Sequence, residues 1–155
     1  MADSSTTKKQ RPFFAWILIF LMCFLAIGGI VSGPMLFLAP NGDLMGMSTN
    51  ILEGSPFPDY LIPGIILFIF IGVIPLIVSL GLIIPSWKGL DSLNPFKAHS
   101  WPWTGSIAVG VILLIWIITE TAMLGYISFL QPVMGVWGIV ILLLTAIPAI
   151  RRYYR

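Results

Sequence analysis

Apolar residues run along this chain in four long blocks, and every charged residue except Glu120 lies between or outside them. The blocks are residues 13–33 ("FFAWILIFLMCFLAIGGIVSG"), 60–84, 104–125 and 129–150. A helix needs about 20 consecutive apolar residues to cross a hydrocarbon core, and each block has roughly that length. The pattern predicts a single all-α domain over residues 1–155. Its architecture is a polytopic membrane protein with four transmembrane helices in an antiparallel bundle. Residues 1–11 are expected to form a polar or disordered N-terminal segment.

Composition agrees with this reading. Of the 155 residues, 58% are hydrophobic and 9% charged, against about 25% charged in soluble domains. The mean hydropathy is +1.01. A soluble fold of this size has too little interior to hide so much apolar surface. Cys23 is the only cysteine, so the thiol pairs that four-helix membrane oxidoreductases require are missing.

The net charge of +2 matters less than where the cations fall. Lys8, Lys9 and Arg11 precede the first block, Lys88 and Lys97 lie between the second and third, and Arg151, Arg152 and Arg155 follow the fourth. Four spans with both termini cytoplasmic put all eight on one side, as the positive-inside rule requires. The opposite connections hold Asp43, Glu53 and Asp59 instead. Trp16, Trp87, Trp101, Trp103 and Tyr153 fall near the basic boundaries and are expected to form an aromatic belt. The first block also has features of a secretory signal peptide. Its apolar run continues to Ala39, longer than an ordinary signal core, which favours a retained span.

Small residues suggest where backbones touch. Gly29 and Gly33 share one face of the first span, and Ser106 and Gly110 one face of the third. Contact within one chain is favoured over contact between copies. Pro75 falls mid-span, where it removes a backbone hydrogen bond and crowds the carbonyl of Ile71, so a kink is expected there. In the long connection 34–59, "STNILEG" predicts a short extracytoplasmic loop helix over 48–53, with Gly54 as its stop. Asp59 is placed to cap the second span. Ser128 and Gln131 have capping-box spacing at the start of the fourth.

The segments "PNGDLMGM", "LEGSPFPDYLIPG" and "SFLQP" resemble a family of small bacterial four-helix integral membrane proteins with no assigned function. The resemblance covers most of the chain. It implies four helices and a bacterial inner membrane, and it carries over no catalytic residue.

Glu120 is the outlier. Counted from Gly105 at 1.5 Å per residue it lies about 22 Å along its helix, in the outer part of the bilayer. A charge there costs a few kcal/mol on insertion scales. No basic residue is available on that side, so a protonated or hydrogen-bonded carboxyl is expected. Trp116, Thr119, Asp59, Tyr60 and Gln131 are the candidates to line a shallow polar pocket around it. The structural reading has Glu120 pinning the loop to the bundle. The functional readings are proton or cation coupling, or binding of a polar or lipid headgroup.

No zinc cluster, phosphate loop or nucleophile motif appears. The sole histidine, His99, sits in the basic connection "NPFKAHSWPW". The chain therefore reads as a non-enzymatic accessory, scaffolding or lipid-interacting protein without metal or cofactor. Its expected partners are membrane lipids, a larger membrane complex or further copies of itself, and not nucleic acid. The alternative is a small proton- or cation-coupled transporter using Glu120.

Overall fold

A computed structural model describes residues 10–84 and 86–155. Most of the polar segment 1–11 therefore lies outside the described residues. Helices are the only regular elements among those described. They are α1 (Phe13–Leu38), α2 (Leu61–Ile83), α3 (Trp101–Leu124), α4 (Leu130–Ala146) and α5 (Pro148–Tyr153). The first three are long and apolar enough to cross a membrane, which marks this as a membrane protein, and α4 is a shorter apolar helix.

The helix ends depart from the hydropathy blocks for local reasons. α1 continues through Pro34 to Leu38. Steric pressure from a proline falls on the preceding side chain, and that residue is Gly33. α3 starts at Trp101 because Ser100 takes the extended N-cap conformation and Pro102 falls in the first turn, where its missing N–H costs nothing. The last block breaks at Ile147 (φ −56°, ψ 128°). Pro148 forces the residue before it out of the helical region, so α5 begins a new direction.

The kink expected at Pro75 takes a specific form. Residues Leu67–Val73 wind as a π-helix before regular helix resumes at Ile74. The widened turn makes room for the proline ring, which is fully buried.

Helix α1 packs along α2, α2 touches α3, α3 packs along α4, and α4 touches α1. The α1–α2 crossing is backbone against backbone. A Cβ placed on Gly29 would lie 2.7 Å from the Cα of Gly72, and one on Gly33 would lie 2.6 Å from the Cβ of Phe68. The Gly29/Gly33 face thus makes its contact within the chain. Gly110 does the same on α3, where a Cβ would sit 2.7 Å from the Leu142 side chain. Ser106 is fully buried and donates to the carbonyl of Pro102 at 2.9 Å.

Leu18, Met22, Leu25, Ile71, Leu82, Leu113 and Ile141 form the main core. Trp101 and Trp103, expected in an interfacial belt, belong to this core instead, at 5% and 8% exposure. Their indole N–H groups explain how: Trp101 donates to the carbonyl of Trp87 (2.6 Å) and Trp103 to that of Thr145 (2.9 Å). Each buried ring keeps a satisfied polar edge.

Alanine at Gly29 should force α1 and α2 apart and lower stability by about 1–3 kcal/mol, the usual range for overpacking. Alanine at Gly28, which has nothing within 4 Å of its Cβ position, should stay within about 0.5 kcal/mol of the parent. Thermal unfolding in one detergent, followed by circular dichroism, compares the two.

Candidate functional site

The polar residues at the loop end organise around Gln131. This side chain is 3% exposed in the first turn of α4. Its Oε1 accepts the backbone N–H of Ile127 at 3.0 Å. Its Nε2 donates to Glu120 Oε1 at 3.2 Å and to the carbonyl of Gly125 at 3.1 Å. One amide therefore fastens the end of α3, the connection that follows it and the start of α4. The arrangement is a displaced capping box: Ser128 Oγ accepts from the N–H of Leu130 at 3.2 Å, while Gln131 reaches back to residue 127 instead of 128.

Glu120 is half-buried beside Gln131, and Trp116, one turn earlier on α3, reaches the same carboxyl. Thr119 is exposed, since one residue turns a helical side chain about 100° away from its neighbour. Asp59 and Tyr60 are engaged elsewhere. Asp59, just outside the N-cap residue Tyr60, accepts from the N–H of Leu61 through Oδ1 at 2.9 Å and so satisfies the first N–H of α2. Tyr60 is buried and donates its hydroxyl to the carbonyl of Ser48 at 2.8 Å, and burial raises its phenol pKa. Of the six residues proposed for one pocket, the structure brings together Glu120, Trp116 and Gln131.

Tyr60 instead anchors the long connection. The expected loop helix is a 3-10 turn over Thr49–Leu52, with Ser48 Oγ accepting from the N–H of Asn50 at 3.2 Å. Its Leu52 is buried with Leu36 and Tyr60 in a second apolar cluster, against which Leu124 of α3 packs. The loop thus closes over the ends of α1 and α3 through apolar contact.

The opposite, basic end carries a polar network that sequence reasoning passed over. Tyr154 is buried and donates to the carbonyl of Leu82 at 2.8 Å, and its own carbonyl accepts from Ser100 N–H at 2.7 Å. Burial pushes its phenol up to about 12, with Arg11 opposing that shift, so the hydroxyl remains a donor. Arg11 donates to the carbonyl of Ile83 at 2.8 Å and stacks over Trp16 at 4.5 Å. Asn94 receives Thr104 Oγ1 (2.8 Å) and donates to the carbonyl of His99 (2.6 Å). His99 stacks on Trp103 at 4.3 Å and accepts Arg151 Nε at 3.2 Å. Desolvation, then the charges of Arg151 and Arg155, lower its pKa. The Asn94–Pro95 pair and Ser100 before Pro102 carried a turn and helix-start signal, but nothing in the sequence marked Tyr154 as buried.

Among the described residues no three His, Cys, Asp or Glu side chains are grouped to hold a metal ion. No protein-family model matches the chain, and neither a curated protein nor a solved structure resembles it significantly.

The geometry ranks two substitutions. Gln131→Leu strands the Ile127 N–H and the Gly125 carbonyl together and should cost about 1–3 kcal/mol. Glu120→Leu leaves Gln131 with its other two partners and should cost less than half as much. Chemical or thermal unfolding in detergent reads the order; equal losses would mean the carboxyl carries more of the structure than its one hydrogen bond to Gln131.

Proposed function

We propose that this chain is a non-enzymatic accessory protein of a bacterial inner membrane, acting by contact with lipid or with a larger membrane complex. In this reading α1 to α4 all cross the bilayer as a four-helix bundle. Both termini and the basic end face the cytoplasm, and the loop of residues 39–60 faces outward.

One observation carries the proposal. Only 17% of the most apolar window of α3 is buried within the chain, against 39% for α1 and for α2. The uncovered face continues onto α4, with Ile115, Ile118, Val136, Ile139 and Leu143 each exposed. A shallow apolar groove of about 400 Å3 adjoins it, between Leu21 of α1 and Trp137 of α4. Lipid tails are as apolar as leucine, so such a face can meet acyl chains or another apolar helix. The polar groups at the loop end support the same reading, because Gln131, Tyr60 and Asp59 are each engaged in holding the fold.

The transport alternative rests on Glu120, which is half-buried one turn before the loop end of α3. A proton- or cation-coupled carrier would lose flux in proteoliposomes on Glu120→Gln, whereas an accessory protein would not.

Orientation has its own expected outcome. Cysteines placed at Asn50 and Ser128 should react with an impermeant reagent on intact cells, and one at Ser92 should react only after lysis. Gentle solubilisation with native lipids should then recover the chain with a stoichiometric membrane partner or tightly held lipid. Recovery as a bare monomer under every mild condition would remove the accessory reading.

A further inference from the structure

The basic end contains a cavity of about 340 Å3 whose lining includes Lys88, Lys97, His99, Ser100, Trp101 and Arg155. Three cationic side chains face one carboxylate, Asp91, which also lines it. Among the described residues, the side chains of Lys88 and Arg155 have no hydrogen-bond or ion-pair partner. Lys97 is held in place: its Nζ donates to the carbonyls of Asp91 (3.1 Å) and Ser92 (3.4 Å). The wall is stiff as well, because Trp87 and Trp101 pack edge to face at 5.2 Å and are joined by the indole hydrogen bond.

Ser100 is the independent clue. Serine at an N-cap ordinarily accepts from the N–H of the second or third helical residue. Here the second is Pro102, which has no N–H, and the third, Trp103, donates to the Ser100 carbonyl at 3.2 Å. The Ser100 hydroxyl is left buried without a partner. Such a group costs about 1–3 kcal/mol unless something completes it. An oxygen acceptor of negative charge in the cavity meets the free cations and the positive end of the 24-residue α3, and a turn of the Ser100 side chain toward it gives the closed-off hydroxyl its missing partner.

We propose that this cavity binds a phosphate group, presented at the level of the lipid headgroups. The inference rests on the orientation given under Proposed function, which places the cavity at the cytoplasmic leaflet, where anionic lipids concentrate and basic pockets between helices hold their headgroups. A phosphodiester of an anionic lipid and a soluble phosphate ester share the recognised chemistry, and the experiment separates them.

The test uses the full chain in mild detergent, titrated separately with phosphatidylglycerol, phosphatidylcholine and glycerol 3-phosphate, with bound ligand counted by native mass spectrometry. Phosphatidylglycerol should be retained over phosphatidylcholine. Lys88→Ala and Arg155→Ala should each weaken it about five-fold, the equivalent of about 1 kcal/mol per cation, and Lys88→Arg should restore it. Ser100→Ala changes no charge, so a loss there distinguishes a built site from general surface attraction. Glycerol 3-phosphate binding with the same dependence on these residues would support the site and assign it a soluble ligand. Equal retention of both lipids without phosphate-ester binding, or retention untouched by all of these substitutions, would overturn the proposal. Labelling of a Ser92 cysteine from outside would instead overturn the orientation, leaving the binding measurements in detergent to judge the cavity by themselves.

Discussion

Contact between α1 and α2 is made by peptide groups, because each helix carries glycine where they cross. Gly29 sits on Gly72, and Gly33 on Phe68. In lipid there is little hydrophobic gain from pairing two apolar helices, so attraction has to come from close approach over many atoms. That approach requires α2 to present Gly72 to α1 while accommodating Pro75 three residues later. The π-helical turn Leu67–Val73 does both. It rotates the following residues relative to the preceding ones and leaves room for the ring. Removing either glycine would therefore disturb the crossing, and with it the placement of every element that packs on α1 and α2.

The two ends of the molecule solve a common problem in different ways. The last four carbonyls of a helix have no intrahelical donor, and a bilayer offers few substitutes. At the basic end, donors from distant parts of the chain supply them. Arg11 and Tyr154 serve Ile83 and Leu82 at the end of α2, and Trp103 serves Thr145 at the end of α4. The Arg11 charge also lies favourably against the negative end of α2. At the loop end the donor is local: Gln131 Nε2 serves Gly125, just past α3. Long-range capping joins five segments at one end, while the other is closed by a single amide and an apolar lid.

What the sequence made legible follows from the strength of each signal. Long apolar runs identified the helices because hydropathy sums over some twenty residues. Glycine spacing identified the α1 crossing because nothing larger fits there. Glu120 and Gln131 stood out because each is polar within an apolar stretch, and they are hydrogen-bonded. The expected convergence of Asp59 and Tyr60 on Glu120 had weaker grounds. Proximity to the same membrane boundary leaves the direction of a side chain open, and here the backbone of α2 and the Ser48 carbonyl were nearer partners. Trp101 and Trp103 misled for a related reason. Tryptophan near a boundary commonly lies at the interface, but a carbonyl within reach of its N–H lets the ring enter the core.

The break at Ile147 has the widest structural consequence of these details. Had α4 continued straight, Tyr154 would have followed its axis away from the end of α2. Pro148 redirects the chain, so α5 turns back and buries Tyr154 against the end of α2. The same turn lets the Tyr154 carbonyl hold the N–H of Ser100. Ser100 is the residue that starts α3, so the C-terminal segment fixes both where α2 ends and where α3 begins. It also sets Arg151 against His99 and Arg155 at the cavity rim. A short proline-initiated helix thereby determines the shape and charge of the basic end, although most of its residues carry neither a motif nor a periodicity that would distinguish it from a trailing tail.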